Sequence, residues 1–122
     1  IIASPKILKE NPEAVKAFLK AFTKGSKDVI ANPAKGIESV KARDGIINTE
    51  LEVRRLKLAI DTVINSPDAR KEGFGQIQGP RMALLASQVS DAFNTKSRVN
   101  PDAIWNGSFL PSAKDLDILP KK

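Results

Sequence analysis

The side chains of this chain that could carry chemistry are carboxylates, amines, guanidinium groups and hydroxyls, because its 122 residues include no Cys, no His and no Tyr. Without thiolate or imidazole, the usual nucleophile–base pairs and Cys or His zinc sites cannot be built. The closest acids, Glu50 with Glu52 and Asp115 with Asp117, are two residues apart. Residues at that spacing do not face each other on a helix. The sequence therefore predicts no catalytic residue, no metal site and no cofactor, and a protein that is not an enzyme.

A glycine-rich stretch, GFGQIQG, is the second feature to weigh, since glycine-rich loops can cradle phosphates. The spacing of Gly73, Gly75 and Gly79 is not that of a dinucleotide-binding loop. The stretch also follows a predicted helix, whereas the dinucleotide motif follows a strand. A helix end, an extended link with at most one short strand, and a new helix start explain it better. We therefore predict no ligand here.

Basic side chains give the chain a net charge of +6, from 20 Lys or Arg and 14 Asp or Glu. Most of these cations are Lys, whereas bidentate recognition of phosphate or guanine favours Arg. One row lies on a single side of a predicted helix, opposite its apolar stripe: Lys16, Lys20, Lys24 and Lys27. A solvated outer face explains this lysine row better than a phosphate-binding face. We expect no nucleic-acid partner.

Prolines mark where the positioning elements begin. Six of the eight prolines follow residue types that favour helix N-caps: Ser4, Asn11, Asn32, Ser66, Gly79 and Asn100. Proline suits the first helical position, because its φ is already helical and its missing N–H had no partner there. The chain is therefore predicted to be mostly α, with about four main helices, short turns and one to three short strands.

The four main helices are predicted over residues 12–31, 33–43, 50–65 and 80–94. Thr49 and Glu52 form a predicted capping box for the third. The fourth should bury Met82, Leu85, Val89 and Phe93, which recur at helical spacing. Shorter helical turns are predicted over residues 5–9, 67–72 and 101–105, and the chain should end in a polar tail after NGSFLP.

Two apolar features are not explained by a self-contained helical bundle. Ile1 to Ala3 form an apolar run too short for a helix, which reads as the end of a buried strand. Phe18, Phe22, Leu51 and Leu58 lie on helix faces that the small helix after Pro33 cannot cover. We therefore expect an exposed apolar face, filled by another part of the same protein or by a second copy.

The order of these elements resembles a known family. IIAS, then NPEAVKAFLKAFTKGSKDVIANPAKGIESVKARD, LEVRRLKLAIDTVINSPDARKEGFGQI and a closing IWNGSFLP together span nearly the whole chain. This order is similar to the C-terminal part of type II periplasmic solute-binding proteins. The branch in question serves ABC importers for sulfonates, nitrate, taurine and thiamine-pyrimidine precursors. Relatives often carry an acidic residue before the proline at position 80, so Gly79 predicts a weaker helix cap.

The resemblance implies that residues 1–122 are one unit, the C-terminal fragment of a two-lobed α/β protein whose N-terminal portion is absent. The whole protein would hold a small solute between its lobes and present it to an ABC permease in the membrane. It would be periplasmic or lipid-anchored outside the cytoplasm. The ligand-binding residues are unknown, since Arg54, Arg55 and Arg81 lie on predicted helix surfaces without converging. An autonomous helical module, using the lysine row on an acidic partner or nucleic acid, is the alternative.

Overall fold

A computed structural model describes residues 1–121, and every regular element in that range is helical. Seven α-helices follow one another: α1 (Pro5–Glu10), α2 (Pro12–Ala31), α3 (Pro33–Lys41), α4 (Thr49–Ala59), α5 (Pro67–Glu72), α6 (Gly79–Ala92) and α7 (Ala113–Leu116). A π-helical turn, Ile60–Ile64, continues α4, and two 3₁₀ turns, Pro101–Ala103 and Gly107–Phe109, lie between α6 and α7. The mostly helical prediction is confirmed.

Five of the six predicted helix starts are observed as predicted, and each of these five has a side-chain cap. The cap residue accepts a hydrogen bond from a backbone N–H two or three residues later: Ser4, Asn11, Asn32, Ser66 and Asn100. The remaining start, that of α6, lies at Gly79, one residue earlier than predicted, so the N-cap is Gln78 and not Gly79, and the Gln78 side chain makes no capping hydrogen bond. The weaker cap predicted at this start is therefore observed.

The start of α4 lies one residue earlier than predicted, and the capping box is wrong. Asn48 is the N-cap, and its Oδ1 accepts a hydrogen bond from the Leu51 N–H at 3.0 Å. Asn is preferred to Thr at this position, so Thr49 becomes the first helical residue and Glu52 is displaced from the box. At the other end, the Thr62 hydroxyl donates to the Leu58 carbonyl at 2.7 Å, within the stretch where the α-helix widens into the π-helical turn.

The predicted strands are not found in residues 1–121. Ile1 and Ile2 are 75% and 100% exposed, and no extended segment in the described chain lies beside them to pair their backbone groups. In the GFGQIQG stretch, φ is +99° at Gly73 and +86° at Gly75, and the Gln76 N–H donates to the Gly73 carbonyl. These left-handed residues turn the chain, so the stretch cannot continue as a strand.

The centre of the core is the segment predicted as a polar tail. Leu116, Ile118 and Leu119 are 1%, 3% and 9% exposed, and the last two pack with Ile30 of α2 and Ile60 of the π-helical turn. The short-range sequence pattern misses this segment, because three apolar residues, two of them adjacent, occupy too few positions to define a helix or strand face. We call residues 115–120 the C-terminal strap.

The prediction that the apolar stripe of α6 is buried is wrong. Leu85, Val89 and Phe93 are 39%, 53% and 77% exposed, and Met82 is half-buried. Ser90 is the one residue of α6 that is fully buried. The described chain places mainly the Pro101–Ala103 turn and the loop before it against α6, so its stripe lacks an apolar partner there.

Candidate functional site

An aromatic row crosses the surface of the molecule from α2 to the turn after α5. The ring centroids of Phe18 and Phe22 are 6.3 Å apart, and those of Phe22 and Phe74 are 6.4 Å apart, with the rings nearly parallel in each pair. Phe18 is 57% exposed and Phe22 is 46% exposed. Stacked rings left in water forgo most of the stabilisation that burying them would give. The row is therefore a candidate contact surface.

A groove of about 340 Å³ opens beside this row, between α2 and α4. We call it the apolar groove, and it is lined by Phe22, Gly25, Ser26, Val29, Ile30, Leu56, Ile60 and Ile64. Among residues 1–121 no charged side chain lines it, and its floor is made by two core residues, Ile30 and Ile60. Such a surface suits an uncharged apolar partner and offers no group that could orient an anion.

A second groove, of about 570 Å³, lies between the π-helical turn, α5 and the start of α6. Its floor is apolar, with Val63, Ile64 and Phe74, and Ile64 also lines the apolar groove. Charged side chains stand at its rim, where Arg81 Nε lies 3.6 Å from Asp68 Oδ2. The two grooves meet at Ile64, and the aromatic row borders them through Phe22 and Phe74. We call the two grooves and the aromatic row together the docking surface.

Glu72 is the most engaged of the acids at this rim. Lys71 Nζ lies 2.9 Å from its Oε1, and Gln78 Nε2 donates to its Oε2 at 2.8 Å. The hydrogen bond from Lys71 lowers the pKa of the Glu72 carboxyl, and the same bond raises the pKa of the Lys71 amine. Both groups are therefore charged at neutral pH, and neither is poised as a general acid or base.

Hydrogen bonds connect the C-terminal strap to the elements that carry the docking surface. The Phe74 N–H donates to the Leu116 carbonyl at 3.0 Å, and Lys27 Nζ donates to the Asp117 carbonyl at 3.3 Å. Arg70 donates to the Pro120 carbonyl at 3.1 Å and to Asn65 Oδ1 at 2.6 Å. These bonds tie α2, α5 and the Phe74 turn to one segment, and so fix the third ring of the aromatic row.

Gly73 is the residue that allows this approach. A Cβ at Gly73 would lie 3.0 Å from Leu116 Cβ, and its φ of +99° is left-handed. A larger residue would strain the backbone and push the strap away.

The basic residues singled out from the sequence do not form a site. All four members of the lysine row are exposed, and three are engaged: Lys16 with Glu13, Lys24 with Asp28, and Lys27 with the strap. The three arginines singled out from the sequence are also exposed, and they share no partner. Arg55 bonds Glu52, Arg81 pairs with Asp68, and Arg54 makes no ion pair with another described residue. Nothing here converges on a ligand.

The acidic residues singled out from the sequence do not form a site either. Glu50 and Glu52 lie in the first turn of α4, next to the positive end of the helix dipole. Asp115 exchanges hydrogen bonds with the cap residue Ser112, and the Asp117 side chain is exposed while its carbonyl binds Lys27. Over residues 1–121, no cluster of three or more acidic side chains could hold a metal ion.

Sequence reasoning missed the docking surface as a connected site, although it named Phe18 and Phe22. The missing parts were Phe74, hidden in a stretch interpreted as a link, and the apolar residues of the strap. The available signal was three apolar residues, Leu116, Ile118 and Leu119, within four positions. It was too short to distinguish a buried segment from an exposed one.

The family model described as NMT1/THI5 like matches residues 1–36 of the chain. The match confirms the predicted resemblance to the periplasmic solute-binding branch for sulfonates, nitrate and thiamine precursors over this part of the chain. It covers Ile1, α1, α2 and the first residues of α3, and thus includes Phe18 and Phe22. No curated protein and no solved structure matches the sequence.

The family consists mainly of binding proteins, although some members are enzymes. None of the helices within residues 1–121 is both long enough and apolar enough to cross a bilayer.

Proposed function

We propose that this chain is part of the substrate-binding component of an ABC importer. The observation that carries the proposal is the family match over residues 1–36, a segment that contains the exposed aromatic face of α2. The whole protein captures a small solute of the sulfonate, nitrate, taurine or thiamine-pyrimidine type between two lobes. It acts as a binding protein and not as an enzyme.

Within that protein the chain serves mainly to pack the lobes. Phe18 and Phe22 are 57% and 46% exposed, and Leu58 and Val63 are 64% and 71% exposed. Large exposed apolar patches normally mark an interface. Small-molecule sites need a few convergent polar groups. Residues 1–121 contain no such group of side chains, which also supports a packing role. We propose that residues 1–122 form one C-terminal unit, and that the N-terminal portion of the same protein covers the docking surface.

The resemblance also supplies the remaining partners. The solute-loaded protein would be presented to an ABC permease in the membrane, and it would work in the periplasm or lipid-anchored outside the cytoplasm. Ligand-binding residues are expected in the N-terminal portion. A second copy of the chain is the alternative occupant of the docking surface when the N-terminal portion is removed.

Titration calorimetry tests this proposal with two proteins, the full-length protein and the 122-residue chain. Taurine, an alkanesulfonate, nitrate and a thiamine-pyrimidine precursor serve as ligands. We expect one of them to bind the full-length protein with 1:1 stoichiometry, and none to bind the 122-residue chain with micromolar affinity. Binding to the short chain would show a complete site within it and would contradict the two-lobe proposal.

The alternative, a helical module with a basic face, has its own test. Duplex DNA is titrated into the 122-residue chain at low salt and at physiological salt. A merely non-specific phosphate contact weakens steeply as salt rises. Binding that stays tight at physiological salt, and is lost in a Lys16→Glu, Lys20→Glu double variant, would favour the alternative. The lysine row is exposed, and three of its four members are engaged within the chain, with Glu13, Asp28 and the strap.

A further inference from the structure

Asn106 and Gly107, in the loop between α6 and α7, form a pair in which a backbone nitrogen can attack a side-chain amide. The nitrogen of the residue after an asparagine can close a five-membered ring with the asparagine carboxamide, and a glycine there obstructs the attack least, because it has no Cβ. Asn106 alone among the asparagines of the chain precedes a glycine, since the others precede proline, threonine or serine. Asn106 is also exposed, so water reaches its carboxamide.

Trp105 accounts for the glycine at position 107. A Cβ built on Gly107 would lie 2.9 Å from two carbon atoms of the Trp105 ring, which is closer than non-bonded carbon atoms approach. A side chain at position 107 would therefore displace the half-buried Trp105 ring. The fold thus requires, directly after Asn106, the residue that shields its carboxamide least.

The folded turn holds Asn106 in a conformation that opposes the attack. Its Oδ1 accepts a hydrogen bond from the Ser108 N–H at 2.9 Å, and its backbone is extended, with a ψ of 103°. In extended backbone the next nitrogen lies on the far side of the Cα–C bond from the Cβ, whereas ring closure needs the two on the same side. Rotation about this ψ would break the cap and open the Gly107–Phe109 turn.

We propose that Asn106 is a site of spontaneous deamidation whose rate depends on opening of the Gly107–Phe109 turn. The Gly107 nitrogen loses its proton and forms a bond to Asn106 Cγ, and the side-chain nitrogen leaves as ammonia. Water then opens the resulting succinimide at either carbonyl carbon, which gives aspartate or isoaspartate. The step needs water alone as co-reactant, and it does not depend on the proposed function.

Conversion to isoaspartate should disturb the packing of this turn. In isoaspartate the main chain runs through the side-chain methylene and is one carbon longer at that residue. The Gly107–Phe109 turn lies against α2, and the Leu110 N–H donates to the Gly107 carbonyl at 3.0 Å. The residues that follow lead into α7 and the C-terminal strap. We therefore expect the converted chain to be less stable than the original.

The test compares the folded 122-residue chain with a synthetic peptide of residues 99–114. Both are incubated in mildly alkaline buffer, and deamidation is followed by mass spectrometry of tryptic peptides, with aspartate and isoaspartate separated by chromatography. We expect conversion at Asn106 in both, severalfold slower in the folded chain, and none at Asn48 or Asn65 over the same period. Asn106 that stays intact in the chain after the peptide has converted fully would overturn the site. A rate in the chain equal to that in the peptide would overturn its dependence on the turn.

Asn106→Ser is the matched control, because serine keeps a capping oxygen but has no carboxamide to lose. The urea midpoint of this variant should not change on incubation. The midpoint of the unsubstituted chain should fall in proportion to its isoaspartate content. An unchanged midpoint in a largely converted chain would overturn the predicted effect on packing.

Discussion

The C-terminal strap and helix α6 are opposites in pattern and in burial. The strap is short and has no regular apolar pattern, yet Leu116 and Ile118 are the two most buried apolar side chains of residues 1–121. Helix α6 has 14 residues and an apolar stripe at helical spacing, yet Val89 and Phe93 remain more than half exposed. Burial therefore follows the availability of a partner surface, and the pattern of a segment shows only what it could bury.

The physical difference lies in what each segment contacts. Three elements meet the strap through hydrogen bonds from Lys27, Arg70 and the Phe74 backbone, and its apolar residues fill the space between α2 and the π-helical turn. Helix α6 is tied mainly through polar contacts, in which Arg98 bonds Ser87 and Asp91 at 2.6 and 2.8 Å. The strap completes the core, whereas the apolar face of α6 is not packed against an apolar partner within residues 1–121.

Leu116→Ala should produce the largest effect. Leu116 is 1% exposed, so the substitution removes buried methyl groups and leaves a cavity between the strap and the Gly73 turn. Such substitutions cost about 2–5 kcal/mol of unfolding free energy. Urea denaturation of the 122-residue chain measures it, with Leu84→Ala in α6 as the size-matched control. Equal losses at the two positions would show that the strap is not the core of this chain.

Removing the Arg70 side chain should have an intermediate effect. Arg70→Ala deletes its hydrogen bonds to the Pro120 carbonyl and to Asn65. Because Arg70 is exposed and water can partly replace these bonds, we expect a loss of about 1 kcal/mol. Arg54→Ala is the control, since Arg54 makes no ion pair with another described residue. Hydrogen exchange at the Phe74 amide should accelerate in the Arg70 variant only, and unchanged exchange would mean that Arg70 does not hold the strap.

Phe93→Ala should have a small effect in this chain and a larger one in the full-length protein. Phe93 is 77% exposed, and substitutions at exposed positions usually change stability by less than about 0.5 kcal/mol. If the N-terminal portion covers α6, the same substitution there should cost several times more. Parallel urea curves of the two proteins provide the measurement. A large loss in the 122-residue chain would show that α6 already has its partner.

The smallest effect concerns the Lys71–Glu72 pair. The lowered pKa of Glu72 stabilises the folded chain above the ordinary carboxyl pKa of about 4.3, and this contribution is lost as pH falls. The raised pKa of Lys71 stabilises it below the ordinary amine pKa of about 10.4, and this contribution is lost as pH rises. Glu72→Gln should flatten both limbs of the stability–pH curve slightly, whereas Glu10→Gln should not. Identical curves for the two variants would mean that the pair is inactive in solution.

Much of the helical framework could be predicted from the sequence, because its signals are local. A cap residue followed by proline fixes a helix start through bonds only a few residues long, and Asn11 and Asn32 bracket α2 correctly for that reason. The errors arise where two local signals compete, as with Asn48 and Thr49. The resemblance to the solute-binding branch was also visible in the sequence, over the residues that the family match covers.

The docking surface could not be predicted as a whole, because it depends on contacts far apart in the chain. The hydrogen bond from Lys27 to the Asp117 carbonyl joins residues 90 positions apart, and that from Arg70 to Pro120 joins residues 50 apart. The spacing of apolar residues along a helix or strand gives no information about contacts between such distant residues. The predicted strand at Ile1 to Ala3 failed for a related reason, since a strand needs a neighbour and residues 1–121 contain none.

We propose that the docking surface of this chain is covered by an N-terminal portion of the same protein. The most direct measurement is reconstitution, in which the 122-residue chain and the separately produced N-terminal portion are mixed and analysed by sedimentation and calorimetry. We predict a 1:1 complex that binds the solute when neither part does, and that is lost with a Phe18→Asp, Phe22→Asp double variant. A failure of the two parts to associate, or solute binding by the 122-residue chain alone, would contradict the account.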